Sequence, residues 1–159
     1  MTSTSVVSSS EQVARILSKE WFDGEELMNI AFTLMEGETY ISVNRPLIST
    51  YSADVASFIA KHPAYSFKAD TYKRATLNVA HIRGIEIDAF GKKLNINVEV
   101  EPRDVRTKSH AGIFTRYENR NLKVGDSLRI LEKNVSADDV LIKVRSQLLS
   151  LSVIEQRSI

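Results

Sequence analysis

Residues 94–101 alternate without exception. Leu94, Ile96, Val98 and Val100 fall on one parity, and Asn95, Asn97, Glu99 and Glu101 on the other. Side chains of a strand point to opposite faces with period two, so this run buries one face and leaves the other wet. A half-wet strand belongs to an antiparallel sheet, and Pro102 ends it by removing a ladder donor. The chain is thereby committed to a one-sided sheet whose dry face must be covered by apolar elements from elsewhere.

A partner for this strand is expected just upstream. Residues 75–88 read as a long strand, interrupted near Arg83-Gly84, where the parity of Ile82 departs from that of Leu77, Val79, Ile85 and Ile87. Ala89-Phe90-Gly91-Lys92 then forms a hairpin link to the strand at 92–101, with Gly91 supplying positive φ. Residues 39–43 and 109–117 are further strands. Residues 11–35 have apolar groups at helical spacing (Val13, Ile16 and Leu17, then Leu27, Ile30 and Ala31), so two short pieces are expected around a break at Asp23-Gly24; for residues 11–17 both strand and helix fit. Trp21 and Phe22 beside that break read as core anchors.

A helix is predicted over 53–61, with Ser52 as its cap and Val55, Phe58 and Ile59 as its stripe. His62-Pro63 stops it. The strongest helix opens at Ser136, whose Ser-Ala-Asp-Asp start suits both capping and the helix dipole. Its buried stripe is Val140, Leu141, Val144, Leu148 and Leu151. The fold class that follows is α+β: a curved antiparallel β-sheet with a central hairpin, packed by two or three helices on one face. Residues 1–10 are polar and Ser/Thr-rich and read as a disordered tail, with residues 11–159 as a single domain.

Composition narrows the chemistry. With 21 basic and 20 acidic residues the net charge is +1, so no global field favours nucleic acid. The absence of Cys excludes disulfides, thiolate zinc sites and a Cys nucleophile, and points to a cytoplasmic chain. No secretory signal or membrane-length apolar run is present. P-loop, dinucleotide-binding, zinc-protease and nucleophile-elbow motifs are all missing, so no cofactor or metal is expected.

Two candidate constellations remain. His81 and His110 each lie in a strand-like run, and two imidazoles on adjacent strands could share proton-transfer work. The H-x-[ST] repeats of two-histidine phosphoesterases fail here, because the third positions are Arg83 and Gly112. A half-buried histidine satisfied within the sheet is the plainer reading. The second set is basic and aromatic: Tyr40, Arg45, Arg83, Arg116 and Tyr117, with Arg120 nearby. Arg offers a planar donor fork for phosphate or carboxylate. Ordinary solvated surface Arg is again the plainer reading. A possible nucleic-acid stripe comprises Arg103, Arg106, Lys108, Arg116 and Arg120, with a second basic loop at 68–74.

Three functions are weighed. The favoured one is a non-enzymatic protein-interaction or accessory module, with a protein partner or homo-oligomer and no membrane, acting through an edge strand left for pairing. The alternative is a small enzyme or binder of a phosphorylated or nucleotide-like ligand, using His81 and His110 with Arg clamps. A nucleic-acid-associated protein comes third, with steep salt dependence as its signature.

Overall fold

The computed structural model describes residues 6–68, 70–103 and 107–159. Strand β1 (Gln12–Ile16) leads into a 3-10 turn and the small hairpin of β2 (Phe22–Asp23) and β3 (Glu26–Leu27). After a second 3-10 turn come β4 (Ile41–Asn44), helix α1 (Tyr51–Lys61), β5 (Thr71–Asn78) and the short helix α2 (Val79–Arg83). Next are β6 (Asp88–Ala89), β7 (Lys92–Lys93), β8 (Ile96–Pro102), β9 (His110–Tyr117) and β10 (Arg120–Asn121). The chain closes with β11 (Ser127–Ile130), β12 (Lys133–Ser136), helix α3 (Ala137–Leu151) and β13 (Val153–Ser158).

The α+β architecture is as the patterning implies. Seven strands form one antiparallel sheet in the order β8-β9-β4-β1-β5-β13, with β10 beside β9. β1 and β4 meet at one register pair, Ala14↔Asn44, so the two halves of the sheet join through a narrow seam. Helix α3 buries Ala137, Val140, Val144 and Leu148 against Val13, Val43, Leu77, Val98 and Ile113. The Ser136 hydroxyl accepts from the Asp138 amide, as the capping pattern anticipates. Helix α1 packs Tyr51, Val55 and Ile59 on Ala14, Ile16 and Tyr72 in a second cluster. Val13 and Ala14 alternate between these clusters, so helices cover both faces of the sheet, not one as expected.

Several elements differ from the sequence reading, each for a physical reason. Residues 12–16, for which strand and helix are both open, form a strand. β1 lies between β4 and β5 with both faces covered, so its apolar residues are consecutive and carry no period. The strand expected to run to residue 88 ends at Asn78, and a helical turn follows. Val79 and Ile82 are both buried at helical i, i+3 spacing, which explains the parity break at Ile82. The Phe90-Gly91 tip forms as expected, with φ of 55° and 74°. Its hairpin, however, spans only Asp88↔Lys93 and Ala89↔Lys92. β8 pairs instead with β9, from Ile96↔Tyr117 to Pro102↔Ala111, and this long hairpin lies at one edge of the sheet rather than at its centre.

The helix at 53–61 begins two residues earlier, and Thr50, not Ser52, occupies the cap position. Residues 1–5 of the expected tail lie outside the described residues. The tail does not extend to residue 10, because Val7 is 1% exposed within the main core and the Glu11 amide donates to Ser8. No helix among the described residues is long and apolar enough to cross a membrane.

Candidate functional site

Alternation along β9 builds the most elaborate polar surface of the protein. Ala111 and Ile113 enter the core, so His110, Gly112, Phe114 and Arg116 turn to the opposite face. Register sets Ser42 beside Gly112 and Asn44 beside His110 on β4. On the other flank, Glu101 stands beside Gly112 and Glu99 beside Phe114 on β8. Helix α1 covers the β1–β5 half of this face, and the β4–β9–β8 half is covered by its own side chains.

Phe114 is the centre of that cover, only 2% exposed. The Tyr40 ring centroid is 5.3 Å from it, and the Arg103 and Arg116 guanidinium carbons lie 5.3 and 4.9 Å from its ring. Arg103 also sits 4.7 Å from the Tyr40 ring. All three arginine contacts are of cation–π type. Arg116 donates to both oxygens of Glu101, at 2.8 and 2.7 Å, and to Asn121 at 2.6 Å. The Arg116 fork holds the Glu101 carboxyl below the usual range.

Gly112 makes room for this stack. A methyl there would lie 2.7 Å from Tyr40 Cδ2 and 2.9 Å from Tyr40 Cγ. Cγ is the root of the ring, so Tyr40 must swing away and leave Phe114 and Arg103. Gly112→Ala is expected to cost about 1–3 kcal/mol, read by urea unfolding, with a changed near-ultraviolet circular dichroism signal. A variant with unchanged stability and spectrum would mean that Tyr40 is not held over Gly112.

Ser42 Oγ and His110 Nε2 are 2.5 Å apart, and the Tyr40 and His110 rings are 5.9 Å apart. A hydroxyl on an imidazole is the contact a nucleophile–base pair requires. The backbone amides of β4 and β9 are engaged in the sheet plane, so the ladder leaves no pair of N–H groups aimed at a developing oxyanion above Ser42. Behind this pair, Asn44 donates to Ser109, and the Ser109 amide and hydroxyl donate to Asp54 on α1. That chain of bonds ties the start of β9 to the helix.

The other sequence candidates are dispersed. His81 lies on α2, not on a strand, and contacts Asn78. His110 meets Ser42 and Tyr40 instead, so the two imidazoles have different partners. Arg45 is 2% exposed and bonded to Glu11. Arg83 donates to Glu99, Ser9, Val7 and Val100 and acts as a clamp. Tyr117 packs on the core side and donates to the Arg129 carbonyl. Of the proposed basic stripe, Arg106 lies outside the described residues, as does Ala69 in the loop at 68–74. Arg103 and Arg116 are committed to rings and carboxylates. Tyr40, His110 and Arg116 are therefore the predicted residues that converge, and Ser42, Phe114, Arg103 and Glu101 join them.

No group of three or more His, Asp or Glu among the described residues could hold a metal ion. A groove of about 460 Å³ lies between the Phe90 hairpin and α3, lined by Phe90, Leu94, Val140 and Ile142 among others. It contains none of the histidines or arginines named above.

The two edges of the sheet differ sharply. At β8, the Val100 carbonyl accepts from Arg83 and the Val100 amide donates to Glu99, so side chains occupy the outward backbone groups. At β13, six residues pair with β5 without a bulge, from Val153↔Thr76 to Ser158↔Thr71. No second strand lies on its far side among the described residues. Val153 and Ile154 there are 62% and 40% exposed. Nothing in the sequence reading reached this strand. The alternation in Val153 to Ser158 is weak because neither of its faces is deeply buried.

Comparison with protein-family models, with curated proteins and with solved structures gives no match for this chain.

Proposed function

We propose that this chain is a non-enzymatic protein-interaction module that takes up an extended strand along the outer edge of β13. The observation that carries this reading is the contrast between edges: β8 is sealed by the Arg83–Glu99 pair and Pro102, whereas β13 is straight, six residues long and unsealed. An open edge presents a row of donors and acceptors, and natural proteins usually blunt such edges with charge, Pro or a bulge. Strand addition uses that row for affinity and alternate side chains for specificity.

The test is selection of displayed random octapeptides on the immobilised chain. Selected peptides are expected to perturb the amides of Ile154, Gln156 and Ser158, and to lose binding in Gln156→Pro. Proline is tolerated at an edge position whose N–H faces away from the sheet, so that variant is expected to keep its fold. Failure of the chain in its monomeric form to select any peptide, or binding undiminished in Gln156→Pro, would overturn the reading.

A second reading is favoured by the Ser42–His110 contact alone: a small site that transfers an acyl or phosphoryl group through Ser42. It predicts turnover of activated esters or phosphoesters that disappears in both Ser42→Ala and His110→Ala. Equal rates in these variants and the parent chain would end it.

A further inference from the structure

We infer that the occupant of the β13 edge is a second copy of this chain, paired antiparallel about a two-fold axis at Gln156, so that Glu155 of each copy meets Arg157 of the other. This rests on the reading of β13 as the interaction edge and names what fills it.

The backbone phase restricts how two such edges can meet. The Ile159 amide donates to the Asp70 carbonyl, 2.8 Å away. The same register continues through Arg157↔Tyr72, Glu155↔Arg74 and Val153↔Thr76. In an antiparallel ladder alternate residues direct both backbone groups to the same neighbour. Val153, Glu155 and Arg157 therefore face β5, while Ile154, Gln156 and Ser158 present their N–H and C=O outward. Two copies can pair only with an outward residue opposite an outward residue.

Charge then selects among the registers that overlap most of the strand. Setting Ile154 opposite Gln156 places Glu155 against Glu155. Setting Gln156 opposite Ser158 places Arg157 against Arg157. Setting Gln156 opposite Gln156 places Ile154 opposite Ser158 and, twice by symmetry, Glu155 opposite Arg157. Like charges directly opposite destabilise a strand pair and unlike charges stabilise it. The selected register also uses every outward backbone group. It puts the Glu–Arg pairs at non-hydrogen-bonded positions, where side chains approach most closely. The two Gln156 carboxamides, each donor and acceptor, face one another on the axis.

Glu155 and Arg157 are prepared for this. Glu155 Oε1 accepts from Arg74 Nε at 2.9 Å and from the Thr76 hydroxyl at 2.7 Å, which fixes the carboxylate. Its Oε2 takes no hydrogen bond among the described residues. Arg157 is exposed and makes no ion pair among the described residues. The interface is isologous, as a two-fold dimer requires, and joins two seven-stranded sheets into one.

Sedimentation equilibrium of the full chain tests this. The parent is expected to associate from 17.9 kDa to twice that mass. Arg157→Glu, an exposed change that leaves the β5 ladder untouched, is expected to raise the dimer dissociation constant at least about tenfold. Gln156→Pro is expected to abolish the dimer, and in the parent dimer the Ile154, Gln156 and Ser158 amides are expected to exchange slowly. A dimer indifferent to both substitutions, or with those amides exchanging freely, overturns the inference. A parent chain that stays monomeric overturns it too. If that monomer still selects octapeptides at β13, the interaction reading stands without self-pairing; if it selects none, both fall.

Discussion

Glu11→Leu is expected to destabilise the fold by about 3–5 kcal/mol, the cost of leaving one charge of a buried pair without its partner. Arg45 is 2% exposed and Glu11 is 8% exposed. The guanidinium donates to both carboxylate oxygens, at 3.0 and 2.8 Å, and the Ser8 amide donates to the same carboxylate at 2.8 Å. The pair anchors the segment before β1 to the end of β4, beside the narrow seam of the sheet. For a chain of this size the loss lowers the melting temperature by roughly 6–20 °C. The double variant with Arg45→Leu is expected to recover much of it, since well-packed apolar residues can replace a buried pair at little cost. Thermal and urea melts of the four proteins in this cycle measure the coupling directly. If Glu11→Leu and the double variant were equally destabilised, packing rather than charge would hold this corner.

The same pair sets part of the acid limit. Burial alone pushes the Glu11 carboxyl up, but the bonds from Arg45 and the Ser8 amide outweigh it and hold it below its usual range. Glu155, bonded to Thr76 and Arg74, is lowered as well, as is Glu101 beside Arg116. A carboxyl lowered on folding contributes stability above its unfolded value, about pH 4.3. That contribution is lost as pH falls through the lower folded value. Melts of the parent chain are therefore expected to weaken below that point, and the Glu11 variants to weaken less.

What the sequence made legible follows from one-sided burial. The strand at β8 and the stripe of α3 each pack on one face, so their periods of two and 3.6 are clean, whereas β9 is buried on both faces and is marked by its residue types alone. β1 is covered on both faces and lost its period. α2 is a single helical turn inside an apolar run, too short to show one. β13 has little buried surface, and its one apolar pair, Val153 and Ile154, is too short to show a period.

The candidate site was half legible for the same reason. Tyr40, His110 and Arg116 were named from residue type, and β9 alternation does bring them to one face. Phe114 was not, because an aromatic in a strand is ordinarily a core residue, and here it is buried on the face away from the main core. Arg45 and Arg83 were named as anion clamps. Their forks are instead taken by carboxylates of the chain itself, which no local pattern announces. Glu11 and Arg45, like Arg83 and Glu99, are distant in sequence and meet only through the sheet.

Phe114→Ala is expected to cost about 3–5 kcal/mol, the range for a buried aromatic truncated to a methyl. The case differs from an ordinary core cavity. The ring is walled by Tyr40, Arg103 and Arg116 rather than by aliphatic side chains. Removing it takes the π-face from two cations and the ring contact from Tyr40, and the opened space is reachable by water. Water entry limits the cavity penalty, while the freed guanidiniums lose their fixed positions. Phe114→Tyr keeps a ring beneath both cations and is expected to retain most of the stability. Phe114→Leu keeps part of the volume but no quadrupole and is expected to fall between. Urea unfolding gives the free energies, and the His110 imidazole resonances report whether Tyr40 has moved. A loss below about 1 kcal/mol in Phe114→Ala, well under the expected range, would mean that these side chains do not form a packed layer. The Ser42–His110 contact would then lack a packed aromatic layer beside it.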